Sequence, residues 1–172
     1  MKQTPAPPSE RRLHDLACEV GDRLRDRGWQ LATAESCTGG WIAKLITDRA
    51  GSSAWFDRGF VTYSNNAKCS MLDVPEEVLA RQGAVSAAAV TAMVTGALRN
   101  STAQVAVAVS GIAGPEGGTA EKPVGTVWFG WGTEAGEVLT ERREFTGNRD
   151  AVRRHAAAHA LQGVIQLFTD EG

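Results

Sequence analysis

Trp29-Gln30-Leu31-Ala32-Thr33-Ala34-Glu35-Ser36-Cys37-Thr38-Gly39-Gly40-Trp41-Ile42 is the stretch from which the fold can be read. Residues 29–34 are short and apolar, as a buried strand is. Ser-Cys-Thr-Gly-Gly then turns the chain into a helix that begins near Thr38 and sends Trp41, Ile42, Leu45 and Ile46 inward. Upstream, Leu13, Leu16, Ala17, Val20 and Leu24 recur at helical spacing, with Ser9 as the cap and Gly28 as the stop. Downstream, residues 56–63 are rich in β-favouring side chains and read as a second strand. Asn65 and Asn66 are expected to cap a short helix carrying Lys68 and Met71. Val74-Pro75-Glu76-Glu77 opens another, with proline at its first position, and Gly83 ends it. Ser86 caps a longer helix through Arg99. Residues 105–110 suit a strand covered on both faces, residues 124–131 and 137–145 give two more strands, and residues 149–168 a closing helix. This order predicts a three-layer α/β/α sandwich with a mixed sheet. Residues 1–8, with Pro5, Pro7 and Pro8, are expected to be a disordered tail, and residues 9–172 one domain without repeat or linker.

Composition narrows the function. Eighteen Lys and Arg against twenty Asp and Glu leave a formal charge of -2, which argues against a strongly basic nucleic-acid binder. Hydrophobic residues at 42% with 22% charged suit an ordinary globular core rather than a disordered chain. No apolar run approaches the roughly 20 residues that span a bilayer. The amino terminus has prolines and charges where a secretory signal needs an apolar core, so a cytoplasmic protein with no membrane partner is expected. Cys18, Cys37 and Cys69 are an odd number with no CxxC, which indicates neither a disulfide framework nor a zinc site. His155 and His159 share a helix face, but a metal pair there would need a third ligand.

Chemistry concentrates at the first strand-to-helix junction. Gly39 and Gly40 let the backbone approach a ligand, and amides at a helix start face developing negative charge. Ser36 therefore stands where a nucleophile would, although Ser36 or Thr38 acting only as an N-cap fits the same segment. No histidine lies near a strand end. Tyr63, the only tyrosine, and Lys68 remain as bases, and they meet Ser36 if the first two strands are neighbours. A lysine base near neutral pH needs its pKa lowered by about three units, roughly 4 kcal/mol of burial and repulsion. A tyrosine relay between serine and lysine would relax that demand. Otherwise Tyr63 packs at the rim and Lys68 is solvated. Cys37 is a rival nucleophile, but adjacent residues at a strand end point to opposite sides, so only one of Ser36 and Cys37 faces the site.

Residues 110–122 form a glycine-rich loop between two core strands, with several amides and the cation of Lys122 available to a phosphate. The loop is neither a Walker A loop nor a GxGxxG turn, and a merely flexible turn has the same composition. Arg142, Arg143, Arg149, Arg153 and Arg154 cluster around the start of the last helix, as surface ion pairs or as an anion or interface site. The scattered tryptophans suit core or dimer contacts.

TAESCTGG at 33–40, GSSAWFDRGFVTYSNNAK at 51–68, GAVS at 83–86, SGIAGPEGGTAEKPVGTVWFGW at 110–131 and FTGNRDAVRRHAAAHAL at 145–161 closely resemble the CinA carboxy-terminal domain family. The similarity is greatest to its stand-alone members, the nicotinamide-nucleotide amidohydrolases. The resemblance implies an α/β/α sandwich that hydrolyses the carboxamide of nicotinamide mononucleotide to nicotinic acid mononucleotide and ammonia, in pyridine-nucleotide salvage. It further implies a serine amidase without metal or cofactor, in which Ser36, Tyr63 and Lys68 match the catalytic positions. By position, Thr38, Gly39 and Gly40 would supply oxyanion amides. Ser110, Gly111, Ala113, Gly114, Gly118, Thr119 and Lys122 would hold the nucleotide, and the family associates as a homodimer or a larger homo-oligomer. The extra amino-terminal domain of longer CinA proteins, linked to ADP-ribose pyrophosphatase chemistry, is not expected here. A catalytically silent nucleotide-binding or regulatory protein is the main alternative, and a purely structural assembly protein a lesser one.

Overall fold

The computed structural model describes residues 5–170. Helix α1 spans Glu10–Arg27, capped by the Ser9 hydroxyl accepting from the Arg12 amide and closed by Gly28 in the left-handed region. That closure takes the Trp29 amide onto Leu24 O, so β1 begins only at Leu31 and runs Leu31–Glu35. Helix α2 is Trp41–Thr47 rather than starting near Thr38, because Gly39 and Gly40 adopt positive φ and keep the preceding turn outside the helix. A 3-10 turn at Ser52–Ala54 precedes β2, Phe56–Val61. Helix α3 is Asn65–Leu72, capped by the Ser64 hydroxyl on the Ala67 amide and not by an asparagine. Helix α4, Glu76–Gln82, has Pro75 at the cap rather than inside the first turn. Helix α5, Ala87–Arg99, starts at Ser86 as expected. Strands β3 (Val105–Gly111), β4 (Thr126–Thr133) and β5 (Leu139–Glu144) follow, then α6, Arg149–Thr169, capped by Asn148.

The sheet order is β2-β1-β3-β4-β5, with the first three strands parallel and β4 and β5 antiparallel. One face packs Leu13, Val20, Ile42, Ile46, Val152, Leu161 and Val164 from α1, α2 and α6. The other packs Leu72, Leu79, Val90, Met93 and Val94 from α3, α4 and α5. The result is the expected α/β/α sandwich with a mixed sheet. Strand β1 is buried throughout and β3 is buried as far as Ser110, whereas β5 closes the edge with exposed Arg142, Arg143 and Glu144, charges that discourage further strand pairing. No helix among the described residues is long and apolar enough to cross a membrane.

Of the expected tail, residues 1–4 lie outside the described residues. Residues 5–8 carry no helix or strand and lie along α6, where Pro8 O accepts from Arg154.

The chain passes from β1 to β2 on one side and then crosses to β3 on the other, which places the reversal of strand order, and with it the crevice of such folds, at the carboxyl ends of β1 and β3. Ligands bind at such a reversal of strand order in open α/β sheets.

Candidate active site

Ser36 is the first residue beyond β1. Its amide donates to Val109 O of β3 at 3.0 Å, and the Thr62 amide beyond β2 donates to Glu35 O at 2.8 Å. These two bonds fix the serine between its neighbouring strands. Helix α3 then carries Lys68 back under the strand ends, and Lys68 is only 1% exposed. Its Nζ lies 2.9 Å from Ser36 Oγ, 2.7 Å from Thr62 O and 3.5 Å from Tyr63 O. Burial pushes the Lys68 pKa below its ordinary 10.5. A neutral amine has two hydrogens and one lone pair. With the hydrogens on the two carbonyls, the lone pair faces the Ser36 hydroxyl, which is the geometry of a base on a nucleophile.

The tyrosine does not stand between them. Tyr63 is 62% exposed, and its hydroxyl accepts from Arg149 Nη2 at 3.1 Å. The expected relay gives way to direct contact, because α3 brings Lys68 all the way to the serine. Cys37 turns to the opposite side, into the core packed by α1, α2 and α6. Burial pushes its thiol up to about 12, which leaves it inert.

The amides after Ser36 divide differently from the expected set of Thr38, Gly39 and Gly40. The Gly39 amide donates to Ser36 O at 3.0 Å, and the Gly40 amide faces the Glu35 carboxylate. Both are therefore occupied. The Cys37 amide faces its own thiol, whereas the Thr38 amide donates to no group among the described residues, so the Thr38 N–H is the one open to an oxyanion.

Glu35 had no role assigned from sequence. Its carboxylate, 1% exposed, accepts from the Ile42 amide at 2.9 Å and the Ala43 amide at 3.0 Å, and so caps α2, whose Gly40 cap position has no side chain. Burial pushes its pKa up while those amides pull it down. A capping residue normally directly precedes its helix, and the two positive-φ glycines displaced this one.

In the glycine-rich loop, Ser110 and Gly111 end β3 beside the crevice, with Ser110 buried, and Ala113 packs into the core. Gly114 precedes a cis proline, and its carbonyl accepts from Arg149 Nη1 at 2.8 Å. Gly118 lies against Val124, where a side chain would collide with the Val124 amide. Thr119 and Lys122 close a reciprocal turn, the Thr119 amide on Lys122 O and the Lys122 amide on Thr119 Oγ1. The Lys122 ammonium donates to Gln82 O at 2.8 Å, at the carboxyl end of α4, and so braces the loop instead of standing open to a phosphate. Of the arginine cluster, Arg149 joins the loop to Tyr63, Arg153 reaches the carbonyls of Cys37 and Thr38, and Arg154 pairs with Asp150.

A crevice at the reversal of a mixed sheet, with a desolvated amine on a serine hydroxyl and an unengaged amide beside it, is equipped for acyl transfer, the chemistry of an amidohydrolase. The chain belongs to the CinA family, whose C-terminal domain model matches residues 13–168. It is 60% identical over 156 residues to the nicotinamide-nucleotide amidohydrolase PncC of Escherichia coli K12, covering 91% of this chain and 94% of that protein. It is 54% identical over 155 residues to the PncC of Pseudomonas putida, covering 90% and 96%. Among solved structures it is similar to a competence/damage-inducible protein from Agrobacterium tumefaciens, with TM-score 0.89 and 44% identity over 95% of this chain and 99% of that one. It is likewise similar to a CinA-superfamily protein from Klebsiella pneumoniae 700603, with TM-score 0.88 and 43% identity over 92% and 98%.

Proposed function

We propose that this amidohydrolase converts nicotinamide mononucleotide to nicotinic acid mononucleotide and ammonia, as a step of pyridine-nucleotide salvage, with Ser36 as nucleophile and Lys68 as base. The observation that carries the mechanism is the 2.9 Å contact between Lys68 Nζ and Ser36 Oγ, both buried at the end of β1. The names of the PncC relatives support the substrate class.

Neutral Lys68 takes the Ser36 proton as Oγ attacks the carboxamide carbon. The oxygen that gains charge lies against the Thr38 amide. Lys68, now an ammonium, gives its proton to the leaving nitrogen, and ammonia departs from the acyl-enzyme. Water attacks the ester by the same proton path, and the carboxylate is released. The positive pyridinium ring withdraws electrons from the carboxamide and favours attack, while the ribose phosphate contributes remote binding energy that orients it. Ser110, Gly111 and the loop through Gly118 and Thr119 form the wall against which the nucleotide lies. The protein works as a homodimer or larger homo-oligomer.

The test is ammonia release from nicotinamide mononucleotide by the purified protein, with chelator present and Ser36→Ala as control. Release that survives the chelator and disappears in Ser36→Ala is expected. Binding of the nucleotide without release by the wild-type protein would sink the enzymatic reading in favour of a silent nucleotide-binding protein. Activity retained in Ser36→Ala would remove the serine from the mechanism.

A further inference from the structure

Arg153 belongs to α6, yet it is tied to the nucleophile's own turn. Its Nε donates to Cys37 O at 3.1 Å and its Nη2 to Thr38 O at 3.1 Å. The guanidinium lies over the Trp41 ring, 5.3 Å from its centroid, a stacking contact that helps hold the fork in place. Two consecutive carbonyls of a glycine-rich turn are thus held by one planar fork, a task that needs the rigid spacing of a guanidinium.

The consequence lies on the other side of the peptide. The Cys37–Thr38 bond is trans, since Gly114–Pro115 is the cis bond among the described residues. In a trans peptide the C=O and N–H point in opposite directions. Holding Cys37 O toward α6 therefore holds the Thr38 N–H away from α6, and that amide has no partner among the described residues. By the same rule, holding Thr38 O directs the Gly39 N–H, which closes the turn onto Ser36 O at 3.0 Å. A cation hydrogen-bonded to the carbonyl also polarises the peptide and makes its N–H a stronger donor.

We infer that Arg153 is a positioning residue for the oxyanion site: it aims and polarises the Thr38 amide by clamping the Cys37 and Thr38 carbonyls from behind. Its role rests on the amidase reading above, and it touches no reacting atom.

The experiment compares wild type with Arg153→Met, Arg153→Ala and Arg153→Lys for ammonia release from nicotinamide mononucleotide. An oxyanion donor is worth about 100- to 1,000-fold in kcat. A mis-aimed one is expected to cost about 10- to 100-fold in kcat with KM changed by less than about 3-fold. Arg153→Lys keeps the charge but not the fork and is expected to fall between Arg153→Met and wild type. Guanidinium ion is expected to restore part of the lost rate in Arg153→Ala, and sodium chloride at equal ionic strength is not. In the resting protein, the Thr38 amide resonance is expected to move in Arg153→Lys whether or not any substrate is turned over. Unchanged kcat, a rise confined to KM, or an unmoved Thr38 resonance would each overturn the clamp. A wild-type protein inactive on nicotinamide mononucleotide defeats the amidase reading instead, and the Thr38 resonance then decides the clamp alone. If Arg153→Met does not fold, the Arg153→Lys rate and resonance carry the decision.

Discussion

Leu72, the last residue of α3, sets its carbonyl against Gly96 of α5 so closely that the space holds no Cβ. Helix α3 carries Lys68, so this contact sets how deep that lysine sits under β1. Gly96→Ala is expected to force the two helices apart, at a cost of about 1–3 kcal/mol of stability. Ammonia release is expected to fall as well, because Lys68 is drawn away from Ser36. Urea denaturation alongside kcat measures both. A stable, fully active Gly96→Ala would show that the base does not depend on this seam.

Lys68 is buried beside Ser36, and as the proposed base its replacement is expected to separate stability from activity. Its folded pKa lies below the ordinary 10.5, so between those two values the unfolded chain binds more protons than the folded one. Stability therefore rises with pH across that window, and the slope is absent in Lys68→Met. At neutral pH, Lys68→Met is expected to gain about 0.5–2 kcal/mol while losing ammonia release. In the wild type, kcat is expected to rise with pH through a value below 10.5 as the amine loses its proton. A rate independent of pH up to 10.5 would count against Lys68 as the base.

Glu35 gives the opposite pH sign. Burial raises its folded pKa above the ordinary 4.5, so within that window the folded protein binds the extra proton and stability falls as pH rises. Glu35→Gln lacks this slope, and the wild type is expected to lose stability relative to it from pH 4.5 upward. Glu35→Ala removes the acceptor for the Ile42 and Ala43 amides and is expected to cost about 1–3 kcal/mol at every pH. Thermal melts at several pH values measure both effects.

Tyr63→Phe distinguishes a relay from a rim contact. With Lys68 directly on Ser36, the substitution removes only the acceptor for Arg149 and is expected to lower kcat by less than about 10-fold. A proton-transfer residue would cost about 100- to 10,000-fold. A loss of that size, measured as ammonia release, would restore the tyrosine to the proton path.

Much of the architecture was legible because periodicity and caps agreed locally. Ser9 and Ser86 each cap the helix that follows, and β1 and β3 read as continuous apolar runs. Boundaries moved where a tight turn intervened: Gly28 delayed β1, and Gly39 with Gly40 delayed α2. Ser36 and Lys68 stood out because a nucleophile at a strand end needs a base, and few candidates were available. The Tyr63 relay, the Lys122 cation and the choice of amides depended on side-chain direction, which spacing does not encode. Glu35 and Arg153 were hidden for a related reason. Each works through backbone groups of another segment, and a sequence pattern marks the side chain that acts without marking the carbonyl or amide it holds.

Ser36 and Lys68 come from the first half of the chain, whereas Arg149 and Arg153 join them from the opening turns of the last helix. Asn148 secures that helix start through a single side-chain bond to the Ala151 amide. Helix ends are among the cheapest parts of a protein to open. Fraying there would loosen the donors and the loop while leaving serine and lysine in contact. On warming, ammonia release is then expected to fade before the fold as a whole melts, a difference that activity and melting curves recorded side by side would show.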